Sequence, residues 1–156
     1  MTHRPEEPEY DLESRRVLLA AAVTIAAALV AVLAVRHVAV RVLHPSPAFQ
    51  PLDPAPPVFD TVLCTLVAIF VFVRVAFYPD PVRIWRRVAT LVLILSFIPD
   101  VLLASSHSMG GGWPEAFALM AMHAIVWAIC ITLLPALAIT KHPRELKPPD
   151  RPLSIL

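Results

Sequence analysis

Two ionisable residues stand inside long apolar runs: Asp100, in Ser96-Phe97-Ile98-Pro99-Asp100, and His123, in Leu119-Met120-Ala121-Met122-His123. A carboxylate and an imidazole can share a proton, hold a polar or cationic ligand, or bond two helices together. An Asp near the middle of a membrane helix costs about 2.5–3.5 kcal/mol on insertion scales, so it is expected to face the interior and find a partner. Ser96, four residues before Asp100, projects from the same helix face. Pro99 frees a backbone carbonyl one turn earlier and favours a kink. With the outer ends of the third and fourth runs near Ser106 and Pro114, Asp100 lies about 9 Å and His123 about 13 Å below the surface at 1.5 Å per residue. Matched depth lets them meet in the outer half of a membrane. Arg36, Asp60 and Thr61 lie nearer the outer rim and complete a candidate polar cluster.

Two readings of that cluster stand side by side. One is a proton-handling or ligand-binding pocket opening outward. The other is a structural interhelical hydrogen bond, worth about 0.5–2 kcal/mol. No other motif supplies a reaction. Cys64 and Cys130 differ in expected depth by roughly 18 Å, too far for a disulfide, and both read as buried apolar fillers. His123 has no partner His at matched depth for a b-type haem. Zinc spacing, a phosphate loop and a nucleophile elbow are all missing. The sequence thus predicts no catalytic residue, metal site or cofactor, and no nucleic-acid partner.

The elements that must position these residues are four apolar runs, at roughly 17–35, 59–77, 88–104 and 116–139. Each approaches the ~20 residues that a helix needs to cross a hydrocarbon core of about 30 Å. The composition is 58% hydrophobic and 16% charged, far from the quarter charged of a soluble domain. The fold expected is all-α, an integral membrane four-helix bundle with helices about 17–43, 59–78, 84–106 and 114–140. Residues 1–14 read as an acidic disordered tail, 15–140 as the transmembrane domain, and 141–156 as a basic, Pro-rich tail. A cleaved signal peptide is the alternative for the first run, but its apolar core exceeds the 7–15 residues typical of such signals.

Positive charge sets the orientation. With the N-terminus inside, eleven Lys and Arg fall on the inner side, and only Arg36 and Arg41 on the outer side. Both termini are therefore expected in the cytoplasm of a bacterial cell, the chain being multi-pass in the cytoplasmic membrane. Tyr78 and Trp85 would sit near the inner interface and Trp113 near the outer one. Tyr78-Pro79-Asp80-Pro81 reads as a tight turn that makes the second and third helices antiparallel neighbours. The Pro-rich connection 44–57 can fold Phe49 and Leu52 back over the bundle mouth. Asp60 is expected to open the second helix, and Pro114 with Glu115 the first turn of the fourth.

Phe49-Gln50-Pro51-Leu52, Asp60-Thr61, the Ser96–Asp100 stretch and the Leu119–His123 stretch together resemble a family of small bacterial four-span membrane proteins. These are common in actinobacteria and classed as a domain of unknown function. The resemblance covers roughly residues 15–140 and implies the same four-helix architecture, without an activity, cofactor or catalytic residue. The expected function is that of a non-enzymatic accessory or partner-binding bundle, in contact with membrane lipid and with a membrane-protein partner or a second copy of itself. The alternative is a small proton-coupled transporter or ligand sensor that uses Asp100 and His123.

Overall fold

Small residues decide how this chain packs. Along the first helix, Ala20, Thr24, Ala28 and Val32 recur every four residues and are all buried. In lipid, where water exclusion does not drive helices together, such a stripe lets backbones approach closely. The computed structural model describes residues 10–11, 14–106 and 110–141. Its elements are β1 (Tyr10–Asp11), α1 (Ser14–Leu43), a 3-10 turn (Gln50–Leu52), α2 (Ala55–Val75), α3 (Pro81–Ser106), α4 (Trp113–Ala138) and β2 (Thr140–Lys141). All four α-helices are long and apolar enough to cross a membrane. The protein is an all-α membrane four-helix bundle. Its two ends are here named the terminal end and the loop end.

All four helices start earlier than the sequence suggests, α4 by a single residue. α2 begins at Ala55 and takes Pro56 and Pro57 into its first turn, and α3 begins at Pro81. Proline fits there, because first-turn N–H groups have no intrahelical acceptor and its fixed φ suits the helix. Asp60 therefore sits in the second turn of α2 rather than at its start. α1 begins at Ser14, so Arg15 and Arg16 are helical. α4 starts at Trp113, and the Gly112 N–H donates to the Glu115 carboxylate at 2.9 Å. β1 and β2 pair antiparallel, Tyr10 opposite Lys141 and Asp11 opposite Thr140. That ladder ties the start of α1 to the end of α4, inside the segment expected to be tail. The expectations for residues 1–9 and 142–156 and for His107 fall outside the described residues.

Two apolar clusters fill the bundle. At the terminal end, Ala20, Phe72, Val75, Trp85, Cys130, Leu134 and Ala138 pack together. At the loop end, Val32, Phe49, Leu52 and Met122 do so. The Pro-rich connection does fold back, with Phe49 and Leu52 seated on α1 and α4. Arg36 Nε donates to the Leu52 carbonyl at 2.8 Å, which anchors the turn from below. α1 packs most extensively on α4, and α4 also carries α3. α2 and α3 are consecutive, yet they touch over only a short stretch, where the Phe72 and Trp85 rings meet edge to face at 5.5 Å.

Two side chains depart from expectation here. Trp85 is 2% exposed and belongs to the core, because its ring fills the wedge where α2 and α3 diverge from their turn. Cys64 is exposed while Cys130 is buried. Both thiols are free.

Gly111 is buried and lies flat against Phe49, where an added Cβ would run into the ring. Gly111→Ala is expected to lower stability by about 1–3 kcal/mol, the usual cost of overpacking. Pairing it with Phe49→Ala should cost less than the sum of the two single changes. Thermal unfolding in detergent measures both, and strict additivity would mean that the ring and the glycine do not share the site.

Candidate polar site

Asp100 and His123 are brought together. Oδ2 of Asp100 lies 3.1 Å from Nδ1 of His123, across the α3–α4 interface. Local sequence places each. On α4, His123, Trp127, Cys130 and Leu134 follow one another at spacings of four, three and four, a single helical stripe, and Cys130 and Leu134 on it are fully packed. On α3, Asp100 and Ala104 are one turn apart and both buried. Ala104 gives the close approach and Asp100 the polar contact. Pro99, directly before it, cannot donate to the Leu95 carbonyl.

The pair suits hydrocarbon. A carboxylate with a protonated imidazole, and a carboxylic acid with a neutral one, have the same total charge of zero. Either form enters an apolar layer without the large cost of an isolated ion. The side chains differ in access: Asp100 is 8% exposed and His123 38%. The carboxyl is enclosed, and the imidazole is the member that the surroundings can reach.

None of the other four candidate residues bonds to this contact, although Asp60 is close enough to act on His123 through its charge. The Ser96 hydroxyl donates to the Leu93 carbonyl of its own helix at 2.7 Å, the bond that serine makes when a helix offers no better acceptor. Arg36 spends its Nε on the connecting turn. Thr61 is buried in α2, and Asp60 beside it is exposed. A shallow recess at the loop end is lined by Pro99, Leu102, Leu103, Ser105 and Ser106, none of them among the six. The polar centre is thus a two-residue contact with Arg36 on the lid above it.

Sequence reasoning missed four polar atoms, one of them the Trp85 indole N–H, buried and unpartnered in the terminal-end cluster. Thr24 Oγ1, Thr65 Oγ1 and Trp127 Nε1 are buried without a hydrogen-bond partner among the described residues. The signal available for Trp127 was its spacing of four from His123.

The DUF6069 family, a family of unknown function, matches residues 11–140. The chain belongs to that family. The matched region takes in all four helices and the Asp100–His123 contact. No curated protein and no solved structure matches the chain.

The contact makes a mutational prediction for this family member. Asp100→Asn and His123→Gln are each expected to destabilise the bundle, and the double variant to lose about 0.5–2 kcal/mol less than the sum of the two. Unfolding of the four proteins in mixed micelles gives the coupling, and a value indistinguishable from zero would remove the contact as a source of stability.

Proposed function

We propose that the protein is a non-enzymatic accessory or partner-binding membrane bundle. The Asp100–His123 contact would fasten the loop-end part of α3 to α4, so that the outer side of α3 can be presented to another membrane helix. The supporting observation is the way α3 is held. Its buried residues are Pro81 and Trp85 at one end and Asp100 and Ala104 at the other, with none from Arg86 to Pro99. A long apolar stretch (Leu91, Val92, Ile94, Leu95 and Ile98, all exposed) is left for lipid, a partner helix or a second copy.

The same reading places the protein in the bacterial cytoplasmic membrane with both termini cytoplasmic. Arg15, Arg16, Arg74, Arg83, Arg86, Arg87 and Lys141 stand at the terminal end of the described helices or beside it, against Arg36 and Arg41 at the loop end. Basic residues are retained on the cytoplasmic side. C-terminal fusions to a fluorescent protein that folds only in the cytoplasm should glow, and fusions to a phosphatase active only outside should be silent. The reverse pattern would overturn the orientation.

The second reading, a small proton-coupled transporter or sensor, is favoured by one observation, the 38% exposure of the His123 side chain. His123 lies on the inward stripe of α4, Phe49 and Leu52 cover the loop end, and α2 and α3 touch over a short stretch around Phe72 and Trp85. Access to the imidazole would then run between the loop-end halves of α2 and α3. Proton flux into reconstituted vesicles, followed with a trapped pH dye, separates the two readings. The accessory reading expects the native protein to match empty vesicles. A flux that Asp100→Asn abolishes would replace it with the transport reading.

A further inference from the structure

The two apolar clusters leave a layer between them, and among the described residues every buried polar side chain without a partner, except Trp85, lies in it. On α1, Ala20 belongs to the terminal-end cluster and Val32 to the loop-end cluster, so Thr24 falls between them. On α4, Met122 and Cys130 mark the same two limits, and His123 and Trp127 fall between them. On α2, Thr65 lies two turns to the loop side of Phe72. On α3, Asp100 lies between Trp85 and Leu103. Val126 packs against both clusters, and along α4 the limits Met122 and Cys130 stand about 12 Å apart at 1.5 Å per residue.

Within this layer Thr24 and Thr65 are fully buried, and their hydroxyls meet no partner. The Trp127 indole N–H is likewise buried and unpartnered. A threonine can rotate toward a carbonyl of its own helix. An indole N–H has one donor in a fixed direction and no such option. Leaving these groups bare in hydrocarbon costs free energy with nothing gained. A donor on α4 and hydroxyls on α1 and α2, all buried and unpartnered in one layer, are groups that a small bridging molecule can satisfy together.

We propose that this layer is a hydration site: one or a few water molecules held by Thr24, Thr65 and Trp127, one turn of α4 from His123. Water satisfies the indole as an acceptor and the two hydroxyls as a donor. Trp127 follows His123 on one stripe, so the site adjoins the Asp100–His123 pair and gives its imidazole a polar neighbour inside the bundle. The terminal-end cluster, with Phe72, Trp85 and Leu134 almost wholly enclosed, ends the hydrated layer on that side. The proposal holds under either functional reading.

Nitrogen-15 indole labelling with water-selective cross-relaxation tests it on the full-length protein in micelles. The chain has three tryptophans, and Trp85→Phe and Trp113→Phe suffice to assign the signals. The Trp127 N–H is expected to show a cross-peak from water that is lost in Thr24→Val/Thr65→Val, whereas the Trp85 N–H, in the apolar cluster, shows none. Absence of the Trp127 cross-peak in the native protein overturns the proposal. Its survival in the double valine variant overturns the assignment of the two hydroxyls as the holders. Unfolding supplies an independent reading. A shared water makes the two Thr→Val effects non-additive, whereas two independent stabilising effects would show bare hydroxyls and end the proposal.

Discussion

Hydrocarbon offers no hydrogen-bond partners, and this single constraint orders the molecule. A polar group inside the bundle costs free energy unless the chain itself, or something that the chain holds, satisfies it, a cost that the enclosed Trp85 indole still carries. The backbone meets the requirement by running as four helices. Hydroxyls meet it locally: Thr90 donates to the Arg86 carbonyl, Ser96 to that of Leu93, and Thr132 to those of Ala128 and Ile129. Asp100 is too polar for a local solution, because ionised it is an acceptor alone and its own helix turns no free N–H toward it. It needs a donor from a neighbouring helix, and the imidazole at the matching depth on α4 supplies one. Arg36 meets the same demand at the loop end, by donating to a turn carbonyl rather than to a side chain.

The bundle that results is uneven. α1 and α4 share the closest interface because Ala20, Ala28, Ala138 and their neighbours are small enough for backbones to approach. α3 brings larger residues and few small ones, and its fully buried residues lie toward its two ends. The tight connection from Tyr78 to Pro81 makes α2 and α3 neighbours in sequence, but a turn fixes only where two helices begin to diverge. Phe72 and Trp85 then occupy the space just above the turn and hold the pair apart at that level.

The fold was legible for the reason that makes the side-chain detail illegible. A run of about twenty apolar residues announces a span whatever surrounds it, and four such runs leave little of 156 residues for anything else. Within a span, however, the face toward lipid and the face toward the core are both apolar. Periodicity carries little information about which is which. Cys64 is exposed and Cys130 buried, though both read as fillers, and Trp85 is enclosed though its position near a helix end suggested an interface ring. The depth of Asp100 and His123 was readable because it needs only the rise per residue and a short connection. The rotation that turns Ser96 to its own backbone, and leaves Thr24, Thr65 and Trp127 without partners, depends on the contacts of all four helices at once.

Pro99 shows how the polar contact and the shape of α3 support each other. A proline inside a helix removes one backbone bond and weakens the helix at that level, a heavy liability in lipid, where the freed carbonyl of Leu95 has no water to turn to. A helix weakened there would be freer to pivot, since no residue between Arg86 and Pro99 is fully buried and Ala89 is half-buried against the terminal-end cluster. The bond from Asp100 to His123 falls at the next residue, on the loop side of the weak point, and Ala104 docks one turn further on. The segment beyond the proline is thus fixed to α4 independently of the segment before it, which Trp85 holds at the terminal end. Two anchors with a compliant point beside one of them allow α3 to settle its angle against α4 without strain passing from one apolar cluster to the other.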